Sequence, residues 1–216
     1  MPFSIEMLLD YFGVYNQSIW PMQVLGYVLG LLTLIPFVRT GKTWDRVVTG
    51  VMAFLWLWIG LVFWGRAAKD MALLYAPAAI FVVQGALFLN ALARGSIVYG
   101  KAGLAATVVG LVFIAYALVG YPLIGLLVGH VYPNTALSPL FPCPATILTL
   151  GALLLAQRVP RHLLVIPVFW AISGVLWFYL GMVEDAGMVI AGIVGVAVFI
   201  ARERTSQRAV TTRTAS

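Results

Sequence analysis

The chain has 216 residues, of which 62% are hydrophobic and only 9% charged, with a mean hydropathy of +1.02 and a formal net charge of +6. That composition leaves too little polar surface to clothe a water-soluble domain, so a membrane must supply the missing solvent. The basic balance comes from 13 Lys and Arg against 7 Asp and Glu; a nucleic-acid partner would want those bases clustered on one folded surface, and their spread along the chain argues against one.

In chain order, the opening MPFSIEMLLDYF has no basic n-region and carries Glu6 and Asp10. This argues against a cleaved signal peptide and for a short amphipathic stretch at an outer interface. Seven apolar segments follow: Trp20–Val38, Trp44–Trp64, Ala72–Ala93, Ala102–Gly120, Pro144–Gln157, His162–Leu180 and Ala186–Ala201. None has a charged residue in its middle, and most approach the roughly 20 residues needed to cross about 30 Å of hydrocarbon. The fifth does not: a helix of that length rises only about 21 Å, so a short or re-entrant fifth span with non-helical backbone leading into it is expected. Such backbone is tolerated at membrane depth only where protein buries it or water reaches it. The predicted fold is therefore an all-α integral membrane protein, a seven-transmembrane helix bundle forming one domain over residues 1–201. The tail, 202–216, is polar and predicted to be disordered.

The bases fix the expected orientation. Arg39, Lys42, Arg46, Arg94, Lys101, Arg158, Arg161, Arg202, Arg204, Arg208 and Arg213 fall on one side of the seven segments, and only Arg66 and Lys69 on the other. Positive charge is retained in the cytoplasm, which places the N-terminus outside and the C-terminus and tail inside. Glu6, Asp10, Asp70, Glu184 and Asp185 then face outward, with Arg66 and Lys69 placed to pair with them. Trp20, Trp44 and Trp64 stand at predicted span ends, where an indole suits the headgroup layer. Thr43, Asp70 and Asp185 precede predicted helices as candidate N-caps. The pairs Gly26 and Gly30, Gly125 and Gly129, and Ala191 and Gly195 have the small-residue spacing that lets helix backbones approach.

Absences narrow the function. The three lysines, Lys42, Lys69 and Lys101, all lie in loops, so there is no retinal attachment point within a span. His130 and His162 are predicted at opposite faces, which excludes a bis-histidine haem. No carboxylate or histidine is expected at mid-membrane, which argues against proton coupling. Gln84 is the amide nearest a midplane, read first as an interhelical hydrogen bond.

The segment from Gly120 to Thr146, GYPLIGLLVGHVYPNTALSPLFPCPAT, is the longest connection and holds five prolines. Tyr121, the stretch to Gly129, Thr146 and the FPCP turn are candidates for the wall of an outward-facing vestibule. Cys143, the only cysteine, excludes an internal disulfide. With Pro144 at the first helical position, Cys143 would occupy the cap. It reads as a small packed residue, as a nucleophile, or as a metal ligand with His130 and the methionines Met7, Met22, Met71, Met182 and Met188. Glu184 and Asp185 join the last two spans; Asp185 reads as a helix cap, and the pair would give the vestibule a negative potential.

FPCPAT, GYPLIGLLVGHVYP, VPRHLLVIPVFWAISG, VEDAG and FGVYNQSIWP together resemble a family of bacterial multi-pass membrane proteins of unknown function, over nearly the whole chain. The resemblance implies a bacterial inner-membrane protein, and some members carry a loose permease label. It transfers no site residue. The expected function is a permease or transporter of a small solute or metal ion with Cys143, His130, Tyr121, Thr146, Glu184, Asp185 and Gln84 as candidate binding residues. The alternative is a non-transporting accessory or sensory subunit packed on another membrane protein or on its own copy. An outer-face enzyme using Cys143 and His130 ranks below both, and would require the two side chains within hydrogen-bond reach.

Overall fold

The computed structural model describes residues 4–100, 102–137 and 139–214, with side chains as far as Thr205. Lys101 and the side chains of Arg208 and Arg213 lie outside the described residues.

The chain opens with two helices, α1 (Ile5–Ile19) and α2 (Met22–Val38), bent by 92° at Trp20 and Pro21. Proline lacks the N–H that would carry a helix through this point. Leu8, Phe12, Tyr15 and Ile19 are the buried stripe of α1, the spacing of one helical face. The amphipathic reading of the opening thus becomes a helix laid across one end of the protein.

Two long antiparallel pairs follow. α3 (Lys42–Asp70) packs on α4 (Ala72–Arg94), and α7 (His162–Tyr179) packs on α8 (Ala186–Thr214), which is entered by a 3₁₀ turn over Val183–Asp185. α5 (Leu104–Leu127) and the short α6 (Pro142–Leu154) lie between them. Among the described residues five helices are long and apolar enough to cross a membrane, or six if the bent pair counts as one span. The helix in α8 continues to Thr214, into the segment whose polar composition suggests a loose tail; once a helix has its costly first turn, each further residue adds a bond.

α6 explains the shortness of the fifth segment. Every one of its residues except Cys143 is buried, and Cys143 is half-buried. It is a central post that the other helices surround, so it carries no polar face at all. Lipid tails are as apolar as leucine and provide little hydrophobic drive between helices, so close packing and interhelical hydrogen bonds hold the bundle. At the α5–α6 contact, a Cβ on Gly110 would lie 2.8 Å from the Gly151 carbonyl oxygen, and one on Gly151 would lie 2.8 Å from that of Gly110. Trp56 Nε1 donates to Thr149 Oγ1 at 2.9 Å, tying α3 to α6. Gln84 Nε2 donates to the Leu163 carbonyl at 3.1 Å, tying α4 to α7.

The basic end of the bundle is closed by a feature that the apolar periodicity does not announce. Strand β1 (Val98–Tyr99) pairs antiparallel with β2 (Ala156–Arg158), setting Val98 opposite Arg158. Asp45 Oδ1 accepts from the Tyr99 N–H at 2.9 Å, and Arg202 donates to the Ala156 carbonyl at 2.6 Å. The ladder ties the exit of α6 to the approach to α5, so α6 runs back to the end from which α5 starts.

The predicted caps do not form. α3 begins at Lys42 behind Gly41 and the turn before α4 begins behind Met71, neither with a side-chain cap. The α6 cap is Phe141 with Pro142 first in the helix, which puts Cys143 two positions further in than expected. Arg66 donates to Ser18 Oγ rather than to a carboxylate; the ion pairs among the described residues are His130 with Glu184 and Arg161 with Glu203.

Candidate functional site

Opposite the ladder, three helices and a loop bring a set of polar side chains into the protein interior. Asp185, at the foot of α8, is fully buried. The Tyr121 hydroxyl, from α5, donates to its Oδ1 at 2.7 Å, and the Cys143 thiol, from the first turn of α6, donates to its Oδ2 at 3.3 Å. Asp185 therefore faces inward and is no helix cap. Its two oxygens clamp α5 and α6 together.

Glu184 is equally buried and points elsewhere. Its Oε1 lies 3.0 Å from His130 Nδ1, and its carbonyl accepts from the Tyr116 hydroxyl at 2.6 Å. Oε2 has no hydrogen-bond partner among the described residues. Gly125 makes room for this carboxylate, since a Cβ there would stand 3.2 Å from Oε1. Gly187 does the same for the Tyr116 ring, which a Cβ would overlap at 2.2 Å. Both carboxylates lie inside the protein: Asp185 has a donor on each oxygen, whereas Glu184 is met by His130 on Oε1 alone.

The cluster borders a small cavity of about 20 Å3, lined by Tyr121, Cys143 and Asp185 and walled by aromatic rings, among them Phe12, Trp64 and Trp170. That is room for about one water molecule. Trp64 and Trp170 are both buried, and neither indole N–H has an acceptor among the described residues. Trp64 is packed inside the protein, and α3 continues past it to Asp70. Its rings meet edge to face with Trp170 at 5.7 Å, and Trp170 meets Phe81 at 4.8 Å. Phe81 in turn stacks on Trp56 at 4.5 Å. This aromatic series runs from the cavity to the α6 post.

Two stretches of π-helix deliver these groups. One covers Ile59–Trp64 in α3 and holds Phe63 and Trp64; the other covers Tyr116–Gly120 in α5 and ends directly before Tyr121. A π-turn adds a residue to the helical repeat and shifts every following side chain around the axis, and such turns recur at functional sites. Over the top lies α1. Phe12 packs on Phe141 at 5.0 Å and on Phe63 at 5.9 Å, Tyr15 donates to the Leu140 carbonyl at 3.1 Å, and Asn16 donates to the Thr135 carbonyl at 2.8 Å.

The structure therefore brings together Tyr121, Cys143, Asp185, Glu184 and His130, and leaves out two candidates. Thr146 donates to the Pro142 carbonyl one turn back, at 2.8 Å, and Gln84 is committed to α7. Cys143 and His130 bind different carboxylates and share no hydrogen bond, so the pair that nucleophilic chemistry would need is not assembled. Among the described residues no three His, Cys, Asp or Glu side chains converge as a metal site. Met182 lines the cavity, whereas Met7 is exposed. Sequence reasoning missed the indoles, the Tyr116 contact and the π-turns.

The sequence pattern of one family, described as a family of unknown function, DUF6064, matches residues 5–210. The chain belongs to that family. The match spans α1 and the whole bundle, so the lid helix, the clamp on Asp185 and the ladder at the far end all fall within the DUF6064 region. No curated protein and no solved structure matches the chain.

Proposed function

We propose that this is a multi-pass permease of a bacterial cytoplasmic membrane that passes a small neutral polar solute, with the cavity at Asp185 as its recognition point in a closed state. The observation that carries the reading is the pairing of unlike polar groups on one cavity. Trp64 and Trp170, whose indole N–H groups lack acceptors among the described residues, and Asp185 all belong to the wall of this one space. Buried donors left unpaired are costly, and an ionisable group kept within an apolar bundle is a functional hypothesis by default. An amide or a small alcohol offers one acceptor for the indoles and one donor for the carboxylate, and the cavity must widen from its one-water size to admit it.

Passage requires two movements. Leu8 and Phe12 of α1 cover the cavity from one side, and the Trp170, Phe81 and Trp56 series closes the other. The reading also takes seven passes with the N-terminus outside. It draws on the one-sided bases, and on α6 running back to the end from which α5 starts. His130, at the rim with Glu184, belongs to the outer face in this orientation.

The test is osmotic. Proteoliposomes are given a step of urea, acetamide, ethylene glycol or glycerol, and re-swelling is followed by stopped-flow light scattering. At least one probe should re-swell wild-type vesicles several times faster than protein-free vesicles, and Asp185→Asn should abolish the difference. Rates equal to those of empty vesicles for every probe would overturn the permease reading. The second reading, a sensory or accessory subunit, is favoured by the aromatic closure of the core; it predicts a probe that raises the melting temperature of wild type and not of Asp185→Asn, without flux.

A further inference from the structure

The opposite end of the bundle carries a second cavity, of about 420 Å3, between the start of α3, the end of α4 and the β-ladder. Its size is within the roughly 300–1,000 Å3 of ordinary ligand sites. Four of its lining residues are cations: Lys42 and Arg46 on the first turns of α3, Arg94 on the last turn of α4, and Arg158 on β2. Lys42 and Arg46 are four residues apart and share a helix face. Arg158 is set in place by its ladder partner Val98. The one carboxylate present, Asp45, is buried and accepts from the Tyr99 N–H. Among the described residues none of the four cations forms an ion pair; Arg94 donates only to Asn90 Oδ1, at 3.1 Å.

Like charges gathered around one hollow repel one another, and the single carboxylate there, Asp45, offsets only one of the four. The bases are also not needed for an ion-pair network, unlike Arg161, whose guanidinium holds Glu203 through two bonds of 2.9 and 2.8 Å. The first turn of α3 also borders this cavity: its cap, Gly41, offers no side chain to the orphan N–H groups, and the turn's one acid, Asp45, has an oxygen engaged with the Tyr99 N–H. All four cations sit at the ends of membrane-length helices or on the ladder beside them, which is the depth of lipid phosphates.

We infer that this groove binds the phosphate of an anionic phospholipid headgroup, with Lys42, Arg46, Arg94 and Arg158 as its ligands. Guanidinium groups grip a phosphate through paired N–H donors, and the half-buried Val98 at the cavity wall gives an acyl chain an apolar neighbour. The inference is independent of the solute cavity at the other end.

The experiment is native mass spectrometry of the full chain in a mild detergent, titrated in parallel with phosphatidylglycerol and phosphatidylcholine. Wild type should retain phosphatidylglycerol in preference to phosphatidylcholine, and the double variant Arg46→Gln, Arg158→Gln should weaken that preference by roughly 30-fold, at about tenfold per 1.4 kcal/mol and about one kcal/mol per surface charge. Arg161→Gln, a base outside the groove, should leave it unchanged. Equal retention of the two lipids by wild type, or a preference that survives the double variant, would overturn the site. A third arm adds glycerol 3-phosphate without acyl chains. If it competes at the same concentration as the lipid, the ligand is a soluble phosphate and the lipid assignment fails.

Discussion

At Asp185 the local accounting of donors and acceptors sets the outcome of substitution. Tyr121 and Cys143 both donate to this side chain, and both would lose their acceptor in Asp185→Ala. An unsatisfied buried donor costs about 1–3 kcal/mol, so Asp185→Ala should lower stability by about 2–4 kcal/mol in equilibrium unfolding from mixed micelles. Asp185→Asn keeps one acceptor oxygen and removes a charge whose burial is itself costly, so its loss should stay within about 1 kcal/mol. Equal losses in the two variants would mean that the carboxylate is held by something other than this clamp. The polar half of the site is legible in the sequence, because Cys143, His130, Glu184 and Asp185 are rare residue types placed in unusual connections. What they do is not legible. Asp185 looks like a cap from its place before a helix, and only the approach of α5 and α6 turns it inward. Trp64 and Trp170 are invisible for the opposite reason: in a chain with 7 tryptophans among apolar neighbours, nothing marks the two whose N–H groups lack a partner.

Between elements, α1 and α6 carry the strongest consequences. Because Leu8 and Phe12 cover the cavity on which Cys143 opens, the thiol should react slowly with a membrane-permeant maleimide in folded protein. Phe12→Ala removes a ring from that cover and should speed the reaction on the order of tenfold, a ratio that corresponds to about 1.4 kcal/mol in opening free energy. A rate unchanged from wild type would show that the thiol is reached by another route. At the α5–α6 contact the backbones touch at Gly110 and Gly151, so Gly151→Ala should cost about 1–3 kcal/mol through overpacking, read as a lowered unfolding midpoint. Neither glycine stands in one of the small-residue pairs that the spacing rule picks out. That rule needs two small residues on one helix, whereas this contact uses one from each of two helices. The shortness of α6, by contrast, is plain from the length of its apolar segment and its prolines. The two π-turns leave no mark in the sequence, since a shift of one hydrogen-bond register needs no particular residue type.

For the whole molecule, the arrangement of ends decides what each cavity can meet. β1 and β2 join the start of α5 to the exit of α6, and Arg202 of α8 binds the same strand, so these ends share one face with Lys42, Arg46 and Arg94. The site at Asp185 lies at the other end, where α1 covers it. If the arginine-rich face is cytoplasmic, as retention of positive charge requires, the solute cavity opens outward and the phosphate groove meets the inner leaflet. Single cysteines introduced into Cys143→Ala protein test this directly. Ser18→Cys, exposed on the last turn of α1, should be labelled in intact cells by a membrane-impermeant maleimide, and Thr40→Cys, exposed before α3, only after permeabilisation. The reverse pattern would exchange the two faces and make the groove an outer-leaflet site. Labelling of both positions in intact cells would mean that α2 does not cross, which would leave the bent pair on one surface and reduce the count of passes by one.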